Sequence, residues 1–213
     1  MMEYRSYVSL NIAIIGNTKM SHALSSAFIN VGHQVFMANT EREMAGSLPE
    51  PEQQGDIHYC SIEDAAAAAD FIMICTHASE VREVAYWLGD VRRKVIVDLT
   101  VNVPNGNTTN INTIGAINSI TGSEHIVKLL SLYNHEQLFK PLFGGKPAQV
   151  VLVGDSRKAK EMAKIICKEL SVDKFHDFGG TENIALFDEL SKCCRSMIKV
   201  NYTQPQLTKV SKR

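Results

Sequence analysis

No apolar stretch in this 213-residue chain approaches the roughly 18 residues that a membrane-spanning helix requires. The opening residues Met1-Met2-Glu3-Tyr4-Arg5 carry no signal-type apolar segment, so a cytoplasmic protein is expected, with no membrane association. Charge of one sign is also missing. With 22 basic and 23 acidic residues scattered along the chain, net charge is -1, which leaves no electrostatic footprint for nucleic acid. The seven histidines show no H-E-x-x-H or H-x-H spacing, and the five cysteines have no metal-binding pattern. An odd number of unpatterned cysteines fits a reducing compartment. No G-x-S-x-G nucleophile elbow is present either. Metal catalysis and this form of serine catalysis therefore find no support.

What is present begins at Leu10-Asn11-Ile12-Ala13-Ile14-Ile15, an apolar strand pattern that runs into Gly16-Asn17-Thr18-Lys19-Met20-Ser21. Helical spacing of Met20, Ala23, Leu24, Ala27, Phe28 and Val31 follows, closed by Gly32, and Val35-Phe36-Met37-Ala38 reads as a second strand. Strand, turn, helix and strand together make a βαβ unit. In such a unit the helix N-terminus offers free N–H groups and a positive dipole end, which suits a pyrophosphate. A dinucleotide fingerprint would read G-x-G-x-x-G, and only its first glycine is kept. Thr18 and Ser21 stand at the other two positions, both small, and Lys19 adds a positive charge. The spacing suggests a dinucleotide site; a loop that has drifted and binds nothing remains the alternative.

An acidic residue about 20 positions beyond the glycines usually holds the ribose 2′-hydroxyl of NAD. Here the second strand ends in Asn39-Thr40-Glu41-Arg42, with no carboxylate at the strand end itself. A hydroxyl and a guanidinium suit the 2′-phosphate of NADP, whereas Glu41 would repel it. The choice tilts towards NADP, and Arg42 as a solvated loop charge stays open.

The remaining pattern alternates helix with apolar strand. Ser61-Ile62-Glu63-Asp64 reads as a capping box that opens an alanine-rich helix to Ala69, and Phe71 to Cys75 as a buried strand. Ser79 is expected to cap a helix to Leu88, and Val95-Ile96-Val97 leads to Asp98 as another strand. The Asn-, Thr- and Gly-rich segment from Val103 to Gly122 reads as a long irregular connection. Strands at Ile126 to Leu132 and Ala148 to Val153, a helix capped by Ser156, an edge strand at Lys174 to Phe178 and a last helix from near Thr181 to Lys199 complete the chain. Helices between uniformly apolar strands predict an α/β fold: a Rossmann-like, doubly wound, mostly parallel sheet with helices on both faces. One NAD(P)-binding domain over residues 1–200 and a tail over 201–213 are expected. The ligand should lie beyond the carboxyl ends of the strands, where Gly16 to Ser21, Asn39 to Arg42, Thr76-His77 and Asp98-Leu99-Thr100 border one cleft. His77 is the one histidine placed there, and a structural hydrogen-bonding role competes with a ligand role.

In this order the motifs resemble the NADP oxidoreductase family that includes the deazaflavin-coenzyme-dependent NADP reductases and the cytosolic domains of STEAP metalloreductases. The resemblance spans roughly Leu10 to Met197. It rests on Ile12 to Gly16 with Gly32-His33-Gln34-Val35, on Val127-Lys128-Leu129-Leu130-Ser131-Leu132-Tyr133-Asn134, on Pro141-Leu142-Phe143-Gly144-Gly145-Lys146-Pro147, on Val153-Gly154-Asp155 and on Gly179-Gly180-Thr181-Glu182-Asn183-Ile184-Ala185. It implies a homodimer that binds NADP(H) and passes hydride to a flavin or deazaflavin. By the same resemblance Gly16, Thr18, Lys19, Met20 and Ser21 match the phosphate turn, in which Asn17 also lies, and Thr40 and Arg42 match the 2′-phosphate loop approximately, with Asn39 beside them as a further candidate. Thr76 and His77 stand beside the nicotinamide half, where the family commonly has an apolar residue and a proline. Asp98-Leu99-Thr100-Val101-Asn102 imitates a loop that in the family reads Asp-x-Thr-Asn-Pro. Hydride transfer between two bound cofactors needs little acid–base help from the protein, so the lack of a recognisable catalytic residue does not count against a reductase. A noncatalytic nucleotide sensor or assembly module is the alternative function.

Overall fold

Four apolar runs of the first half become neighbouring strands because each can bury both of its faces. The computed structural model describes residues 9–41, 57–100, 111–131 and 149–203, without the side chains of 131 and 195–203. Its strands are β1 (Asn11–Ile15), β2 (Gln34–Ala38), β3 (Ile57–Tyr59), β4 (Phe71–Ile74), β5 (Val95–Asp98), β6 (Ile126–Ser131), β7 (Gln149–Val153) and β8 (Lys174–Asp177). They form one eight-stranded sheet in the order β3-β2-β1-β4-β5-β6-β7-β8. All neighbours pair parallel except β6 with β7, so β7 and β8 run against the other six. The expected doubly wound, mostly parallel sheet is what the chain forms.

Among the described residues six α-helices cover the two faces: α1 (Lys19–Asn30), α2 (Ile62–Ala68), α3 (Val81–Trp87), α4 (Thr113–Thr121), α5 (Arg157–Glu169) and α6 (Ile184–Thr203). Strand alternation sorts the core into layers. Ile12, Ile14, Phe71, Met73, Val95 and Val97 pack with Leu24 and Phe28 of α1 and with Ala163 and Ile166 of α5. Ala13, Ile15, Ile72, Ile74 and Ile96 point the other way, onto α2, α3 and α4. Burying a side chain such as Phe28 completely contributes about 1.5–3 kcal/mol. His33, buried after α1, accepts the Leu10 N–H on Nδ1 and donates from Nε2 to Glu169, so the α1–β2 turn is tied to the end of α5.

Two expectations need correction, and one strand was missed. The segment Val103 to Gly122 is not irregular throughout, because Thr113–Thr121 is α4, with Asn112 as its cap accepting the Gly115 N–H and Gly122 ending it at φ +68°. Its Asn and Thr residues favour loops locally, but Ile114, Ala116 and Ile117 are buried against the sheet, and the parallel step from β5 to β6 needs a covering crossover. Residues 101–110 lie outside the described part. Ser79 does not cap the fourth strand's following helix; it sits inside a 3₁₀ turn, Ala78–Glu80, that leads into α3. The three-residue edge strand β3 carried no sequence signal, being short and centred on exposed His58. The expected segments Leu132 to Pro147 and residue Arg42 lie outside the described residues.

Candidate functional site

β2, β1, β4 and β5 are consecutive parallel neighbours, so their carboxyl ends lie along one edge of the sheet. The order reverses between β1 and β4, which makes that edge the place for a ligand. Hydrogen bonds past the strand ends lace the loops together: Gly16 N–H donates to Ala38 O at 2.7 Å, Cys75 N–H to Ile15 O at 2.7 Å and Leu99 N–H to Ile74 O at 2.9 Å. The four sequence-predicted loops, as far as their described residues go, lie along this one edge.

Gly16 is demanded by the fold itself. Its φ is +131°, and a Cβ there would lie 2.6 Å from the Cys75 carbonyl oxygen and 3.1 Å from Thr76 Cγ2. β1 and β4 can therefore close up only with glycine at this turn. Thr18 is the N-cap of α1, with its Oγ1 accepting the Ser21 N–H at 3.1 Å, while Ser21 Oγ accepts the Thr18 N–H at 2.8 Å and donates to Thr18 O at 2.7 Å. Such a reciprocal cap fixes the first turn, at about 1 kcal/mol for the cap. Ser21 is fully buried, so its hydroxyl serves the turn and the helix packing, not a ligand.

The backbone N–H groups of Lys19 and Met20 have no acceptor among the described residues, as expected for the start of a helix. No acidic residue occupies the first turn, and the Lys19 side chain is exposed beside it. Exposed His22 donates from Nε2 to Asn17 Oδ1 at 2.8 Å, which holds the Asn17 side chain over the turn. This donor set fits a phosphate anion. Thr18 marks the departure from the fingerprint, since its side chain stands where glycine gives the pyrophosphate its closest backbone approach.

At the neighbouring ends, Asn39 is half-buried, and Thr40 is buried at the start of a helical turn with exposed Glu41. Thr76 is buried against the Gly16 turn and donates to His77 O at 3.3 Å. His77 is exposed; its N–H donates to Glu80 Oε2 at 3.1 Å, and its ring has no partner among the described residues. Cys75, buried beneath the turn, is held far above the usual thiol range by burial and by the negative charge of Asp98, so it stays a thiol and is not a nucleophile.

One group was not read from the sequence. Asp98, Thr100, Thr113 and Lys128 are all buried and bonded to one another beside this edge, with Lys128 Nζ at 3.0 Å from Asp98 Oδ2. The signal was there, a lone lysine inside the apolar strand Ile126 to Leu130, but its partners lie 15 to 30 residues away. Elsewhere, a cavity of about 460 Å³ runs along α4 past Ser123, His125, Asp155, Ser156 and Thr181. There His125 bonds to Ser123 and Ser156, and Thr181 bonds to Asp155, so these groups satisfy one another.

Residues 11–102 match the family model described as NADP oxidoreductase, coenzyme F420-dependent. The match takes in β1 to β5 and the strand-end loops, and over this segment it bears out the resemblance seen in the sequence. The family is one of NADP-dependent oxidoreductases. Among solved structures, a protein assigned as an F420-dependent NADP reductase from Arthrobacter sp. FB24 superposes with a TM-score of 0.75 at 18% identity, covering 92% of this chain and 96% of that one. An imine reductase from Aspergillus terreus superposes at 0.64 with 16% identity, over 92% of this chain and 62% of that chain. Another from Myxococcus stipitatus gives 0.62 at 15% identity, over 90% and 62%. At these identities the likeness establishes the fold. No curated protein matches the chain in sequence.

Proposed function

We propose that this chain is an NADP(H)-dependent oxidoreductase. In this reading the turn Gly16 to Ser21 holds the pyrophosphate through Gly16, Asn17, Thr18, Lys19 and Met20, with Ser21 closing the helix cap beneath it, and Asn39, Thr40 and Arg42 surround the adenosine 2′-phosphate. Thr76 and His77 flank the nicotinamide half, and hydride passes to a flavin or deazaflavin. The observation that carries it is the start of α1: two backbone N–H groups without acceptors among the described residues and an exposed Lys19, with no acid in the turn, at the point where strand order reverses. The matched family's description and the NADP+ held by the Myxococcus stipitatus imine reductase support the choice of cofactor. When bound, the dinucleotide supplies the hydride; the chain's residues bind and orient it.

Titration with NADPH and NADH tests the reading, following nucleotide fluorescence and melting temperature together. Micromolar binding with NADPH preferred is expected. Arg42→Ala should then cost about 1.5–3 kcal/mol of NADPH affinity, through loss of a charge-assisted bond, and leave NADH nearly unchanged. Equal loss for both would remove Arg42 from the phosphate role. The homodimer and the cytoplasmic location belong to the same proposal, the first tested by light scattering on the purified protein.

The second reading, a noncatalytic sensor or assembly module, draws on the reciprocal cap between Thr18 and Ser21, which turns the polar groups of both residues onto each other. No binding of either nucleotide at millimolar concentration would favour it.

A further inference from the structure

The fully satisfied polar cluster beside the candidate cleft is unusual for its place in the sheet. Asp98 ends β5, Thr100 follows two residues later, Thr113 opens α4 and Lys128 lies on β6, opposite Asp98 in the parallel register. Lys128 Nζ donates to Asp98 Oδ2 at 3.0 Å, to Thr100 Oγ1 at 3.1 Å and to Thr113 Oγ1 at 2.6 Å, so all its N–H groups are used. Asp98 Oδ1 accepts the Thr100 N–H at 2.8 Å and its hydroxyl at 2.5 Å, while Oδ2 also accepts the Thr113 hydroxyl. None of the four is more than 4% exposed.

Such a closed network is a poor device for stability alone, because apolar residues of similar volume often serve a buried site as well or better. Ile126 and Leu130, on the same face of β6, are buried apolar residues of this kind. What the charges add is direction: each bond has one geometry, and together they fix Thr100 and the first turn of α4 relative to the end of β5. Those are the backbone segments that leave the strand next to β4, on the side away from the adenosine-binding β2.

We propose that the Asp98–Lys128 pair, with the hydroxyls of Thr100 and Thr113, is a positioning device that sets Leu99 and Thr100, directly after β5, for the nicotinamide half of the bound dinucleotide. This rests on the reading of the edge as an NADP(H) cleft. The residues act through the backbone they hold, without touching the cofactor.

The test compares full-length wild type with Thr113→Val and Thr113→Ser for binding of NADPH and of 2′,5′-ADP, which lacks the nicotinamide half. Thr113→Val should weaken NADPH about tenfold and 2′,5′-ADP by less than about twofold, and Thr113→Ser, which keeps the hydroxyl, should restore wild-type binding. Equal weakening of both ligands, or unchanged NADPH affinity, would overturn the proposal as a merely structural effect. If Thr113→Val does not fold, Thr100→Val removes the neighbouring hydroxyl and must show the same split. Wild type that binds neither ligand would overturn the cleft reading itself, a result visible before any variant is compared.

Discussion

The turn at Gly16 and the cluster around Lys128 lie along the same edge of the sheet, yet they are built in opposite ways. Every side-chain bond in the turn joins residues within five positions, such as Thr18 with Ser21 and Asn17 with His22. In the cluster, Lys128 reaches Asp98 across 30 residues and Thr113 across 15. The turn is partly open, with two N–H groups that find no acceptor among the described residues; the cluster is closed, its side-chain donors answered inside. A local motif can thus remain ready for a ligand, whereas a long-range network can hold the backbone around it. Under the two proposals, one part of this edge binds the dinucleotide and the other positions it.

The largest expected effect breaks the second member of this comparison. Lys128→Met leaves Asp98 buried without its counter-charge and should cost about 3–5 kcal/mol in urea denaturation. Lys128→Met combined with Asp98→Asn should recover part of that loss; a single variant as stable as wild type would mean that charge does not hold the cluster.

Gly16→Ala breaks the first member. The positive φ alone costs about 1–3 kcal/mol, and the contact with the Cys75 carbonyl adds to it. Little soluble protein, or a clearly lowered melting temperature, is expected even without any nucleotide. A variant of unchanged stability would show that the β1–β4 approach can relax.

Thr18 sharpens the contrast because its two roles separate. Thr18→Ala should cost about 1 kcal/mol of stability through the lost cap, whereas Thr18→Gly should cost only a few tenths. Under the proposed function, Thr18→Gly should also tighten NADPH binding by opening the backbone to the pyrophosphate. Unchanged affinity would show that the side chain does not limit the site.

The smallest effect lies away from both regions. The Asp155 carboxyl is held below the ordinary carboxylate range by the Thr181 hydroxyl and N–H, against a smaller opposing effect of burial. A lowered folded-state value means that this group's stabilisation is present above its unfolded value and lost as pH falls through the folded one. Asp155→Asn should therefore lower the urea midpoint slightly near neutral pH, and the difference from wild type should vanish in the acid range.

The architecture was largely legible because its signals are local. Apolar runs, with Gly32 and the caps Ser61 and Ser156, located β1, α1, α2, β4 and α5 in the sequence, and the structure has them within a residue or two. α4 was hidden because Asn112, Thr113 and Asn118 read as loop formers, and only the crossover between β5 and β6 overrides that preference. The strand-end loops were predictable as a group, since parallel strands put their carboxyl ends on one side.

By itself, then, the sequence determined the alternation of helix and strand, the phosphate-type turn and its departure at Thr18, because backbone preference and apolar period act over a few residues. Tertiary structure alone decided that Gly16 must be glycine against the Cys75 carbonyl, that Ser21 is consumed by the cap of its own helix, and that Lys128 finds Asp98, Thr100 and Thr113. Those outcomes depend on which strands become neighbours, and a buried charge shows its purpose only when the groups that surround it are known.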